Sequence, residues 1–288
     1  MAVEFILICM SAHLLGDYYL QSDKMAEGKK KQWKKLFWHG VVYGIPFITI
    51  MALVQMSATL MLCLGLLILS HLLVDVLKAA YSRLMGRIGQ GQLIGKKGFI
   101  YAMDQLLHLL VILILCYIFR GSDIRLYRWV ENIFDILPFS SEEMLRWILL
   151  ILAIYKPVNI TIHQLFSDFK PAAEKQVEKN SSSKLTAASL RRKEVHGEDA
   201  DCYIEDESYR VLKDKKAGAI IGFLERLLVI IFISIQQYAA IGLILTAKSI
   251  VRYDRITKDK EFSEYYLIGT LFSLIAALLL YFAVFMKL

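Results

Sequence analysis

Cysteine is scarce in this chain and is not spaced for structural work. Of four in 288 residues, Cys9, Cys63 and Cys116 sit inside apolar runs and Cys202 in a hydrophilic segment, with no C-x-x-C pair. That excludes a disulfide framework and a zinc knuckle. The N-terminus lacks the positive charge of a signal peptide, carrying Glu4 instead, and no small-residue cleavage site follows its apolar run. It is therefore read as a permanent span. Charge is sparse within the apolar blocks and concentrated between them. The net charge of +7 comes mostly from Lys and Arg in connections between spans, where the positive-inside rule accounts for them, so no nucleic-acid partner is called for. No block repeats at a fixed period. One pair of pentapeptides, "HLLGD" at 13–17 and "HLLVD" at 71–75, hints at duplication and no more.

Apolar length is what the chain has in abundance. A hydrophobic content of 57% and a mean hydropathy of +0.48 point to an all-α polytopic integral membrane protein, whose partner is the lipid bilayer. Runs near the ~20 residues needed to cross a bilayer fall at about 2–22, 38–56, 60–83, 99–119, 144–165, 219–250 and 264–286. Seven transmembrane helices are expected, the first four as an N-terminal unit. The fifth is predicted to kink or end near Pro157. The sixth is too long for one upright span and too short for two, which favours a long tilted helix over a hairpin, with a re-entrant segment kept open.

The chain divides into a four-span domain at 1–120, an external loop and fifth span at 121–166, a charged segment at 167–216 and a C-terminal membrane unit at 217–288. The 167–216 segment has the composition of a solvated, partly disordered loop and is a candidate contact for a soluble partner. Glu225 with Arg226 and Lys248 with Arg252 are read as snorkelling at span ends. The basic loops "DKMAEGKKKQWKK" and "SRLMGRIGQGQLIGKKG" alternate with the uncharged "QMSAT". This places the N-terminus outside and the 167–216 loop in the cytoplasm of a multi-pass protein.

Against this background, ionisable groups inside spans demand a reason. In an α-helix, residues i and i+4 share a face. His13 and Asp17 are so paired in the first span, His71 and Asp75 in the third, Asp104 and His108 in the fourth, and His39 opens the second. Because successive helices alternate in direction, all seven fall toward the same membrane face. Alone, each has a bland explanation, as an interfacial hydrogen-bonder, a cap or a snorkelling group. Together they are the imidazole and carboxylate set that zinc prefers, with manganese or iron as alternatives. A metal site ranks first, a proton or ion relay second and a purely structural network third. Seven ligands exceed the need of one zinc, so a two-metal centre is open, with Gln21 and Lys78 left to orient substrate or stabilise charge.

The stretches "HLLGDYYLQSDKMA", "WHG", "SHLLVDVLKAA" and "MDQLLHLL" resemble a bacterial family of uncharacterised polytopic membrane proteins, over about residues 1–120. The resemblance extends to "GFLERLLVIIFISIQQYAAIGLILTAKSIVR" and "SEYYLIGT", which are similar to segments of longer members. The H-x-x-x-D pairs are distantly similar to YdjM-type predicted membrane-bound metal-dependent hydrolases. "HLLGDYYLQ" is also similar to a stretch of zinc phospholipase C, but lacks its Pro and following His, so no phosphodiesterase chemistry is carried over. The resemblance to a hydrolase family implies a metal-dependent enzyme.

The residues suit such a role: a metal on His13, His71, Asp75 and His108 or a similar subset, Asp17 or Asp104 as general base, and Lys78 stabilising an oxyanion. Such a site suits a lipid, a lipid-linked phosphate or a membrane peptide near the cytoplasmic leaflet. The alternative is a cation or proton-coupled transporter or channel using the same cluster, ranked lower because the outer halves of spans one to four carry no polar residues. A membrane sensor or assembly protein is the third reading. Spacing does not give the oligomeric state.

Overall fold

The computed structural model describes residues 2–29, 32–55, 57–87, 96–121, 125–136, 138–166, 169 and 201–286. The chain is all-α, and the one β pairing among the described residues is an isolated antiparallel bridge between Val54 and Leu126. It divides into two compact units: residues 1–165 with 280–288, and residues 166–279. Among the described residues, six helical stretches are long and apolar enough to cross a membrane: Trp33–Leu53, Ala58–Leu84, Gly98–Ile118, Ser141–Leu165, Ala217–Ser234 and Lys260–Phe285. They correspond to the second through seventh expected spans. The first expected span is divided between two helix types.

The first unit opens with α1 (Ala2–Leu14), which continues as a π-helical segment, Leu15–Tyr19, closed by an i→i−5 hydrogen bond from Leu20 N to Leu15 O. Then follow α2 (Asp23–Gly28), capped by the Ser22 side chain, α3 (Trp33–Leu53), α4 (Ala58–Arg87) and α5 (Lys96–Ile118). A short α6 (Arg128–Asp135) leads to α7 (Ser141–Ile154). The latter starts in a capping box between Ser140 and Glu143. The expected break near Pro157 is present. Tyr155 leaves helical geometry, and α8 (Lys156–Leu165) restarts with Pro157 in its first turn, where a missing N–H costs nothing.

Helix α1 is largely apolar because most of its faces are covered. Phe5, Cys9 and Ala12 pack with Tyr43, Phe47, Leu67, Ile112 and Cys116, while Leu7, Leu14 and Tyr18 pack with Leu149, Ala153 and Val284. Gly16 lets the π segment lie against α3: a Cβ there would meet Tyr43 Cδ2 at 2.7 Å and the Tyr43 carbonyl oxygen at 3.0 Å. Arg146 donates from Nη1 to the Val284 carbonyl, and Ser141 Oγ donates to Glu4 at 2.8 Å. The last turn of the chain therefore lies at the end of this unit where α1 begins.

The second unit corrects two expectations. A single helix, α9 (Asp201–Ser234), begins within the segment read as a solvated loop, while residues 170–200 lie outside the described residues. The sixth segment is not one long tilted helix. It stops at Ile235–Gln237, where Gln236 has φ 60°, and α10 (Tyr238–Val251) folds back along α9. Lys248 Nζ donates to Glu225 Oε2 at 2.5 Å across this hairpin. After α11 (Tyr253–Lys258), α12 (Lys260–Phe285) supplies Ser273, whose Oγ accepts from Arg226 Nη1 at 3.2 Å. Arg226 is 2% exposed, so it does not snorkel. Its charge is held inside the unit because a hydroxyl receives it.

Candidate metal centre

The four core helices deliver their polar side chains to one level. His13 comes from α1, Asp17 from the π segment, His39 from α3, His71 and Asp75 from α4, and Asp104 and His108 from α5, and every one of them is buried. Among the described residues, two groups have the geometry that could hold an ion. Asp17, His39 and His71 form one, and His71, Asp75 and His108 the other, with ligand atoms in each all within 4.8 Å of one another. His39 Nε2 is 3.1 Å from Asp75 Oδ2, 3.4 Å from Asp17 Oδ1 and 3.2 Å from His71 Nε2.

His13 and Asp104 fall outside both groups but border them. The His13 ring lies 5.5 Å from that of His71 and 5.6 Å from that of His108, and its Nδ1 is 3.1 Å from the Tyr43 hydroxyl. Tyr43 stacks flat on His71, with centroids 3.6 Å apart and planes 4° apart. That contact fixes the orientation of the shared imidazole. His108 Nδ1 lies 2.8 Å from the Asp104 carbonyl oxygen; a carbonyl only accepts, so Nδ1 carries the proton and the lone pair is on Nε2. That Nε2 is buried without a hydrogen-bond partner.

Lys29 occupies a position that sequence reasoning missed. Immediately after α2, its ammonium lies 2.9 Å from Asp75 Oδ2, 3.5 Å from Asp17 Oδ1 and 3.2 Å from His39 Nε2. Burial opposes its charge, but the Asp17 and Asp75 carboxylates outweigh that and hold its pKa above the ordinary lysine value. It is a cation at neutral pH, placed where two carboxylates share a low-dielectric space.

Beside this core runs a second polar chain. Lys78, read as a stabiliser of charge, is paired with Asp104 Oδ2, to which Gln105 Nε2 also donates at 3.1 Å. Gln105 Oε1 accepts from Tyr18 at 2.6 Å, Tyr18 and Tyr101 hydroxyls are 3.0 Å apart, and Tyr101 reaches Thr161 Oγ1 on α8 at 3.1 Å. Asp104 Oδ1 has no hydrogen-bond partner and lies 3.8 Å from His108 Nδ1. Gln21 sits in the turn before α2, its Oε1 buried and unpartnered. Tyr43 had a usable signal, four residues after His39. Tyr18, Tyr101 and Thr161 had none beyond being hydroxyls in apolar runs.

Residues 5–134 match a family model described as "Protein of unknown function (DUF3307)". The matched stretch contains the entire His/Asp layer and Lys29, and the description carries no activity. No curated protein and no solved structure matches the chain.

Proposed function

We propose that this protein is a membrane-embedded, metal-dependent hydrolase whose site is the His/Asp layer. The observation that carries the reading is the pair of overlapping ligand groups meeting at His71. A neutral imidazole has one lone pair, so the overlap favours one ion in a five-residue pocket over two independent centres. The donors fit a borderline cation, zinc before manganese or iron, because they mix imidazole nitrogen with carboxylate oxygen. The unpartnered Nε2 of His108 fits as well, since it is held in the tautomer a metal ligand needs.

A bound divalent ion would supply Lewis acidity to a scissile phosphoryl or carbonyl group and acidify water. The remaining work falls to the chain. Asp17 and Asp75 would neutralise the ion, Tyr43 and the Asp104 carbonyl would hold His71 and His108 in place, and Asp104 Oδ1 is a free acceptor for a proton. Lys78 is a quarter exposed and would meet an anionic oxygen arriving from outside the layer. A lipid, a lipid-linked phosphate or a membrane peptide would suit a site at this depth, in a bacterial inner-membrane protein with its N-terminus outside and this layer toward the cytoplasm.

The test is elemental analysis of the purified full-length chain with hydrolysis of a fluorescent phospholipid in vesicles. About one zinc per chain and chelator-sensitive turnover are expected, both lost in His71→Ala. Metal-free protein, with turnover insensitive to chelator, would remove the proposal.

One observation favours the transport reading. Cys9, Cys63 and Cys116 are buried in one core cluster beyond the layer. Thiols could pass a soft cation onward. Zinc entry into proteoliposomes, abolished by both Asp75→Asn and Cys63→Ser, would put transport first.

A further inference from the structure

Two helix breaks meet beside the His/Asp layer. One is the π segment, Leu15–Tyr19, which contains Asp17. The other is at Tyr155, where α7 leaves helical geometry before α8 restarts. In an unbroken helix the Lys156 amide would donate to the Leu152 carbonyl. Here the Tyr19 hydroxyl stands between them, donating to Leu152 O at 2.8 Å and accepting from Lys156 N at 3.5 Å. The stitch runs both ways. Lys156 Nζ donates to the Tyr18 carbonyl oxygen at 3.2 Å and lies 5.2 Å from the centroid of the Tyr19 ring. The last carbonyls of a helix have no intrahelical donor, and a cation is the favoured group to meet them. Each break supplies what the other lacks.

The wider turn matters for Asp17. A π turn closes i→i−5 in place of i→i−4, and one residue of helix is worth ~100° of rotation. Two of the His/Asp pairs keep the i, i+4 contact that their spacing gives: His71 Nε2 is 3.6 Å from Asp75 Oδ2, and His108 Nδ1 is 3.8 Å from Asp104 Oδ1. In the first pair the partners diverge. Asp17 groups with His39 and His71, which lie 3.4 and 4.0 Å from its Oδ1, while His13 turns its Nδ1 to the Tyr43 hydroxyl. The ligand set departs from helical spacing at the π turn.

We propose, on the reading of the layer as a metal site, that Lys156 and Tyr19 are positioning residues for the ion. By joining the two breaks they hold the π turn, and the π turn aims Asp17 at His39 and His71. Neither residue belongs to either ligand group, so both act through Asp17. The ion's affinity is thereby tied to the α7–α8 break, an element that contributes no ligand.

Zinc affinity of the purified full-length chain, titrated in detergent against a chromophoric chelator, tests this. Lys156→Met and Tyr19→Phe should each weaken zinc about tenfold, and Lys156→Arg, which keeps a cationic donor, should retain most of the affinity. Lys156→Met should weaken zinc as much in a Lys29→Met background and no further in an Asp17→Asn background, because its effect passes through that carboxylate. A second readout needs no metal. Asp17 and Lys29 pair at 3.5 Å, and their coupling, read from the Tm of Asp17→Asn, Lys29→Met and the double variant, should vanish when Lys156→Met is added. If the parent chain takes up no zinc, the metal reading fails and this coupling alone decides whether Lys156 positions Asp17. Unchanged zinc affinity in a folded Lys156→Met, an equal further loss in Asp17→Asn, or an Asp17–Lys29 coupling that survives Lys156→Met would each overturn the proposal.

Discussion

Lys29 decides how the layer survives without an ion. Asp17 and Asp75 both face its ammonium, and a divalent cation would need the same oxygens, so lysine and metal compete. Because the Lys29 pKa is raised, its contribution to stability is complete at neutral pH and fades only as pH climbs through that raised value. Lys29→Met should leave two buried carboxylates uncompensated, costing the metal-free protein about 3–5 kcal/mol, while tightening zinc about tenfold or more by removing the competitor. Thermal unfolding with and without zinc reads both: a lower Tm without metal, and a larger rise on adding it. Weaker zinc binding in the variant would make Lys29 a supporting part of the site instead. The sequence foretold the histidines and aspartates but not this residue. His13 to His108 stand out because they break apolar runs at helical spacing. Lys29 is one basic residue among five in "EGKKKQWKK", where charge is expected and no spacing singles one out.

At the scale of elements, the informative departures are the breaks. The hairpin at Ile235–Gln237 was illegible because "SIQQYAA" contains neither Gly nor Pro, and the polarity of the two glutamines was its single trace. The structure instead puts Gln236 at φ 60°, a conformation that costs a side chain roughly 1 kcal/mol and glycine nothing. Gln236→Gly should therefore raise Tm by a few degrees, and a fall would mean that the glutamine side chain holds the turn. The break at Pro157, by contrast, was readable from one residue, since proline restricts where a helix can continue. The hairpin also bears on parity. If α9 and α10 both cross, the basic "RYDRITKDK" returns to the side from which α9 starts, the arrangement the positive-inside rule would favour. The contact of Arg146 with Val284 already places the last turn beside the start of α1. Reporter fusions at residue 288 and at the N-terminus should report the same side of the membrane, and opposite sides would refute the hairpin as a pair of crossings.

At the scale of the molecule, the layer belongs wholly to one unit. Its candidate ligands, Lys29 and the Tyr18–Tyr101–Thr161 chain all come from residues 13–161, whereas residues 166–279 form the other unit. The first unit is nevertheless discontinuous in sequence. Leu280, Val284 and Phe285 pack with Leu7, Leu14 and Tyr18 against α7, and the Val284 carbonyl takes a hydrogen bond from Arg146. Severing the chain between the units and removing its end are thus different operations. A protease site introduced at 180–184 and cut after purification should leave zinc content and turnover unchanged, because the residues of the layer all lie between 13 and 108. Truncation after residue 200 should lower Tm, because it strips α1 of the cover from Leu280, Val284 and Phe285 and removes the carbonyl that accepts from Arg146 Nη1, leaving Arg146 only its pair with Glu142; a hydrogen bond to a charged donor contributes about 1.5–3 kcal/mol. If the cut alone abolished metal binding or turnover, the 167–216 segment would be part of the working unit, and the sensor reading would displace the hydrolase.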